Sequence, residues 1–286
     1  MVYIIVFDVL DRIHLIPVFY GSPAPLGLAL RGAFCYTPLM ATGQPADLPQ
    51  IRPNDRIFVT GMTGSGKSIL AHLLYRQVPI HLPVDEDDPQ PRFTRIIIDV
   101  TDSIVDDSLT FYDPEAIPWE ESDSLRFVPD IDQMEYQLDL LYQNIMLAGS
   151  CWVWNDEVNE VSSAHKTIPG LRKALLQGRK FLVGQCLVTP RPVDISKSIL
   201  TQSEHQFLFR LIDEGDRRRM AANIGLVLDE FDQLMNSLDD HGYLWYSVRD
   251  RTVYSMPPIP QDWVEALEGG IDTQTYSNRT REERVS

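Results

Sequence analysis

Gly61-Met62-Thr63-Gly64-Ser65-Gly66-Lys67-Ser68 fits the pattern G-x-x-x-x-G-K-[ST] without a mismatch. Arg56-Ile57-Phe58-Val59-Thr60 before it reads as a short buried strand, and the run from Ser68 to Tyr75 after it reads as a helix. A strand that turns through glycines into a helix makes a phosphate cradle. Glycines at 61, 64 and 66 let successive N–H groups point inward, and the helix adds the positive end of its dipole. The stretch therefore predicts a nucleoside triphosphate held by Gly61, Met62, Thr63, Gly64, Ser65, Gly66, Lys67, Ser68 and Ile69. Lys67 is expected on the β- and γ-phosphates, and the Ser68 hydroxyl on Mg²⁺.

The rest of the chain sets bounds around that loop. With 286 residues and 44% hydrophobic content, it can bury one sizeable α/β domain with elaborations. No run of about 18 apolar residues exists, so no membrane span is expected. Val2 to Phe7 is apolar but lacks a basic region and meets Asp8 at once, so it reads as a strand rather than a secretory signal. Cys35, Cys151 and Cys186 are scattered with neither a disulfide framework nor a zinc spacing, which suits a reducing cytoplasm. The net charge of −16 argues against passive coating of nucleic acid, though not against a motor touching phosphates through a few local cations.

Three sections are expected: a β and loop section over 1–50, a P-loop domain over 51–255, and a carboxyl-terminal segment over 256–286, mobile at its end. In the first, Val2–Phe7 and Ile13–Tyr20 are expected to pair as a hairpin. Strands are expected at Arg95–Val100, Arg126–Val128, Cys151–Asn155, Phe181–Val188 and His205–Leu211, with helices near 132–147, 168–177 and 213–223. Gly225 is a stop for the last helix, and 242–248 with 251–254 read as a closing hairpin. The acidic stretches 85–89 and 102–123 read as loops.

A phosphate loop alone fits kinases, GTPases and motors. Asp156-Glu157, at the end of the apolar run Cys151 to Trp154, discriminates among them. An aspartate at the tip of a strand beside the phosphate-loop strand can hold Mg²⁺, usually through water. A glutamate after it is placed to orient and deprotonate the attacking water. Asp99, at the end of its own strand, reads as an ordinary turn residue, and no Asn-Lys-x-Asp guanine-reading motif is present.

The order of these parts resembles the HerA–FtsK superfamily of DNA-pumping ATPases, which includes viral packaging motors. The phosphate loop is followed by Ile96–Asp99, Asp156-Glu157, Gly178-Arg179, Phe181–Val188, Thr189-Pro190-Arg191-Pro192 and Phe209-Arg210, over roughly residues 55 to 250. The resemblance implies an α/β fold of the RecA-like, additional-strand P-loop NTPase kind: a three-layer sandwich with a mainly parallel sheet. It implies ATP and Mg²⁺ as cofactors, Lys67 and Ser68 on them, Asp156 on the metal and Glu157 as base. Arg179 is expected to serve a neighbouring subunit's γ-phosphate, with Arg210 as second candidate. Double-stranded DNA as cargo, a homo-oligomeric ring of five or six subunits, and a portal or capsid component are the partners implied. Protein export, filamentous-phage assembly and a nucleotide-gated scaffold are the alternatives. One departure stands out: Pro190 occupies the place of a sensor glutamine, leaving Thr189 as a substitute and Gln185 as a poor one.

Overall fold

Short runs of β-branched and aromatic residues without polar alternation make strands buried on both faces, the condition of a parallel sheet covered by helices. The computed structural model describes residues 2–7, 13–18, 51–78 and 93–268. The expectations for the loop up to residue 50, for the acidic run 85–89 and for the tail lie outside the described residues.

In chain order, β1 (Val2–Phe7) and β2 (Ile13–Val18) form an antiparallel pair, as expected. Then come β3 (Arg56–Thr60), α1 (Lys67–Gln77), β4 (Thr94–Asp99), β5 (Leu109–Phe111), β6 (Ser124–Phe127) and α2 (Met134–Ala148). They are followed by β7 (Cys151–Asp156), α3 (Pro169–Gln177), β8 (Val183–Thr189), α4 (Lys197–Gln202) and β9 (His205–Leu208). The described part closes with α5 (Glu214–Ile224), α6 (Leu228–Asn236), β10 (Tyr243–Ser247), β11 (Thr252–Met256) and α7 (Gln261–Glu268).

The large sheet runs β11-β10-β9-β3-β8-β7-β4-β6-β5. The strands from β9 to β5 run parallel to one another, and β10 alone runs against them, pairing antiparallel with β9 and β11. Successive side chains of a strand point to opposite faces, and two cores result. Phe58, Ile96, Ile98, Val153 and Leu187 face a layer containing α2, α3, α5 and α6. Ile57, Val59, Ile97, Trp152, Trp154 and Val188 face α1. Helices on both sides of a mostly parallel sheet give the expected three layers.

Two differences from the sequence reading matter. β7 does not lie beside the phosphate-loop strand, because β8 pairs with both and stands between them. The strand after the α3 crossover takes the place next to β3, a long-range choice that no local pattern states. The stretch 102–123 also contains a strand, β5, whose Phe111 packs against Phe127 with ring centroids 5.1 Å apart. The short α4 and the amphipathic α6 and α7 are further elements beyond those read from the sequence.

The register of β8 depends on Gly184. A Cβ there would lie 2.0 Å from the Pro53 carbonyl oxygen and 2.6 Å from the Trp152 ring. Gly184→Ala should destabilise the protein by roughly 1–3 kcal/mol or more, measured as a lower urea midpoint. An unchanged midpoint would mean that Pro53 does not press on β8.

Candidate nucleotide site

Because the parallel strands share a direction, their carboxyl ends collect at one edge, and the loop from β3 to α1 lies there. Two glycines are demanded by what surrounds them. Gly61 has φ 153, and a Cβ on it would meet the Phe209 Cβ at 2.5 Å. Gly66 has φ 104, and a Cβ there would press on the Phe209 ring at 3.3 Å. Phe209, fully buried just past β9, is thus the floor of the loop. Its N–H donates to the Thr60 carbonyl at 2.8 Å, and the Met62 N–H donates to the Arg210 carbonyl at 2.8 Å.

The cradle itself is a set of unsatisfied donors. The N–H groups of Thr63, Gly64, Gly66, Lys67, Ser68 and Ile69 have no acceptor among the described residues. The buried hydroxyls of Thr60 and Ser65 have no partner either. Lys67 is buried, and its Nζ donates to the Met62 carbonyl at 2.9 Å, across the mouth of the loop. Burial lowers its pKa, while Asp156 and Glu157 act to raise it. Converging N–H groups, a lysine and a helix N-terminus form a receptor for a polyphosphate.

Asp156 and Glu157 stand at the end of β7, half-buried, and both act electrostatically on Lys67. Glu157 has φ 60 and ψ 52, a left-handed conformation that a glutamate adopts only where its surroundings impose it. The turn that follows is held from the neighbouring strand: the buried Thr189 hydroxyl donates to Asn159 Oδ1 at 3.0 Å. Thr189 Oγ1 also accepts the Arg191 N–H at 3.2 Å. Its hydroxyl is therefore already engaged, and Pro190 offers no N–H. Gln185 pairs in register with Arg56, at the opposite end of β8, so it is removed from the phosphates. Asp99 is buried and held in structure, pairing with Arg126 at 2.7 Å and accepting the N–H groups of Ser103 and Ile104.

The two arginines sit at opposite edges. Arg210 is exposed beside its own phosphate loop, to which its carbonyl is bonded. Arg179 lies in the short turn before β8, at the amino edge, with its side chain 43% exposed and 3.7 Å from Glu204. Glu204 also binds Arg56, the first residue of β3, so about 13 Å of strand separates this end from the loop.

No family model matches the chain, and no curated protein does. Among solved structures it is similar to the genome packaging NTPase B204 of Sulfolobus turreted icosahedral virus 2 in complex with ATP-gammaS. The identity is 18% and the TM-score 0.54, over 73% of this chain and 100% of that one. It is likewise similar to B204, the DNA-packaging ATPase of Sulfolobus turreted icosahedral virus, at 17% identity and TM-score 0.56, again over 73% and 100%. The chain has the P-loop NTPase fold.

The residues of this P-loop site suit Mg²⁺ held largely by phosphate and water. Among the described residues no group of three or more His, Cys, Asp or Glu could cage a metal, and Mg²⁺ ordinarily keeps several waters and takes one or two carboxylates. Ser68, exposed at the start of α1, and Asp156 are the donors for it. Burial first, and then the charges of Glu157 and Asp99, push the Asp156 carboxyl up to about 6 from 3.8, while Lys67 acts the other way. A cation in the site would relieve that.

Without nucleotide or Mg²⁺, Asp156 should therefore cost stability in a pH-dependent way. Below 3.8 Asp156 is protonated in both states, and between 3.8 and about 6 the folded form holds its proton more tightly than the unfolded chain. The cost grows over that interval and is complete above it. Without nucleotide or Mg²⁺, Asp156→Asn should raise the thermal midpoint at about pH 7.5, and the gain should shrink as pH falls through about 6. A gain independent of pH, or none, would remove the charge of Asp156 as its source.

Proposed function

We propose that this chain is a Mg²⁺-dependent ATPase that drives nucleic acid, double-stranded DNA above all, as a genome-packaging motor. The observation that carries the chemistry is that Glu157, at the end of β7, is close enough for its charge to act on Lys67 of the phosphate loop. The likeness to B204, a protein described as a DNA-packaging ATPase, supports the cargo.

The cradle N–H groups and Lys67 hold the triphosphate and draw charge off the γ-phosphoryl group. Ser68 and Asp156 would hold Mg²⁺, which would supply positive charge against the phosphates. Glu157 accepts the proton of the attacking water and orients it. Arg179, at the edge away from its own loop, supplies its guanidinium to the next subunit of a ring, where it meets charge that develops in the transition state. Arg210 lies beside its own loop and serves the nucleotide in the same subunit. A ring of five or six copies, docked on a portal or capsid component in the cytoplasm, is the setting we infer. No helix among the described residues is long and apolar enough to cross a membrane.

Glu157→Gln should keep ATP affinity and cut hydrolysis by about a hundredfold or more, whereas Lys67→Ala should lose binding itself. Near-normal turnover in the Gln variant, measured by phosphate release, would remove Glu157 from the mechanism. Double-stranded DNA should raise wild-type turnover, and a flat response would sink the translocase reading.

Arg179→Ala should bind ATP normally and hydrolyse about a thousandfold more slowly. Mixing it with Glu157→Gln subunits should restore some turnover, at interfaces that pair an intact Arg179 with an intact Glu157. No recovery in mixtures shown to co-assemble would return Arg179 to a structural role, with Arg210→Ala as the comparison.

A further inference from the structure

The parallel helices α2 and α3 both end at the amino edge of the sheet, because each leads into a neighbouring parallel strand. Gly170 of α3 abuts Asp139 and Tyr142 of α2, so the two helices run side by side. Their ends and the turn before β8 expose four large apolar side chains. Leu147 is 79% exposed, Leu176 51%, Phe181 43% and Leu182 36%. Ser150 and Cys151 donate their N–H groups to the carbonyls of Phe181 and Leu182, which ties the end of α2 to this turn. Leu182 holds φ 56, so its backbone is constrained in a conformation that leucine ordinarily avoids.

Exposed cations interleave with these side chains. Arg172, Lys173 and Lys180 are exposed and make no ion pair among the described residues. Arg179 stands among them, and its side chain's one ion pair among the described residues is with Glu204, at 3.7 Å. In a chain of net charge −16, this is a local reversal of sign laid on an apolar surface. The opposite end of α2 has the complementary character. Ile131 is 79% exposed and Tyr136 64%, next to the exposed acids Asp130 and Asp132.

We propose that the surface formed by Leu147, Leu176, Phe181 and Leu182, with Arg172, Lys173 and Lys180, docks on the acidic carboxyl edge of a second copy of this chain. The assignment rests on the reading above that Arg179 serves a neighbour, and it names the surface that carries Arg179 there. Large apolar side chains favour a protein partner, since phosphate contacts call for cations and polar groups rather than leucines. The two surfaces lie at opposite edges of one molecule, so the contact is heterologous and propagates head to tail, closing as a ring when the rotation permits.

The test compares the full chain with Leu147→Lys/Leu176→Lys by sedimentation velocity in Mg²⁺ and ATPγS. Lysine suits a helix end and keeps the patch cationic, so only its apolar character is lost. Self-association should weaken by about tenfold or more, with affinity for a fluorescent ATP analogue unchanged and turnover falling in step with the loss of assembly. Lys173→Glu/Lys180→Glu, which leaves every apolar contact in place, should also weaken assembly. Either variant assembling as well as wild type overturns the proposal, as does a wild-type chain that hydrolyses ATP as a monomer. Intact assembly with altered DNA affinity would make the patch a nucleic-acid surface and overturn it equally. Variants that fail to assemble, beside a wild type whose turnover ignores DNA, would uphold the interface and sink the translocase reading instead.

Discussion

The shared direction of the strands from β9 to β5 is the constraint on which the molecule depends. A parallel strand must be followed by a crossover, and each crossover here carries the chain from one edge of the sheet back to the other. Strand ends that are distant in sequence therefore meet: Thr60, Asp99, Asp156, Thr189 and Phe209 all finish at the same edge. Burial of β3, β4, β7 and β8 along nearly their whole length makes that edge rigid. Phe209 then fixes the phosphate loop to it, and Gly61 and Gly66 are the residues that tolerate so close a floor.

The same rigidity concentrates charge where charge is unwelcome. Asp156 is pushed toward its neutral form by burial and by two neighbouring carboxylates, and Lys67 is pushed toward its neutral form by burial. Glu157 adds a strained backbone. Each is a local cost, offset by the two hydrophobic cores. Such groups make sense at a site whose ligand is itself highly charged.

How much of this was legible in the sequence depended on how local each feature is. The phosphate loop, its strand and its helix were readable because one motif fixes backbone conformation and chemistry together. The strands at 95–100 and 151–155 were readable as apolar runs, and the helix stop at Gly225 is present with φ 81. The insertion of β8 between β3 and β7 was not readable, because strand order is decided by crossovers and long-range pairing. β5 was hidden because it is three residues long and set among acids. In α6 the acids likewise masked a usable signal, the buried pair Phe231 and Met235 at helical spacing. Thr189 could be picked out from its place after β8, but its engagement with Asn159 depends on a turn whose path only the fold defines.

β8 begins just after Arg179 and ends at Thr189, whose hydroxyl holds the turn behind Glu157. Its seven residues are buried throughout and bonded on both sides to parallel strands, so it cannot bend without opening its neighbours. It is a stiff rod about 20 Å long. A displacement imposed on the turn at one end would arrive at the other as a shift of the Thr189 hydroxyl. On the function proposed above, a push on Arg179 from a neighbouring copy would therefore be felt in the turn behind Glu157 of the same chain.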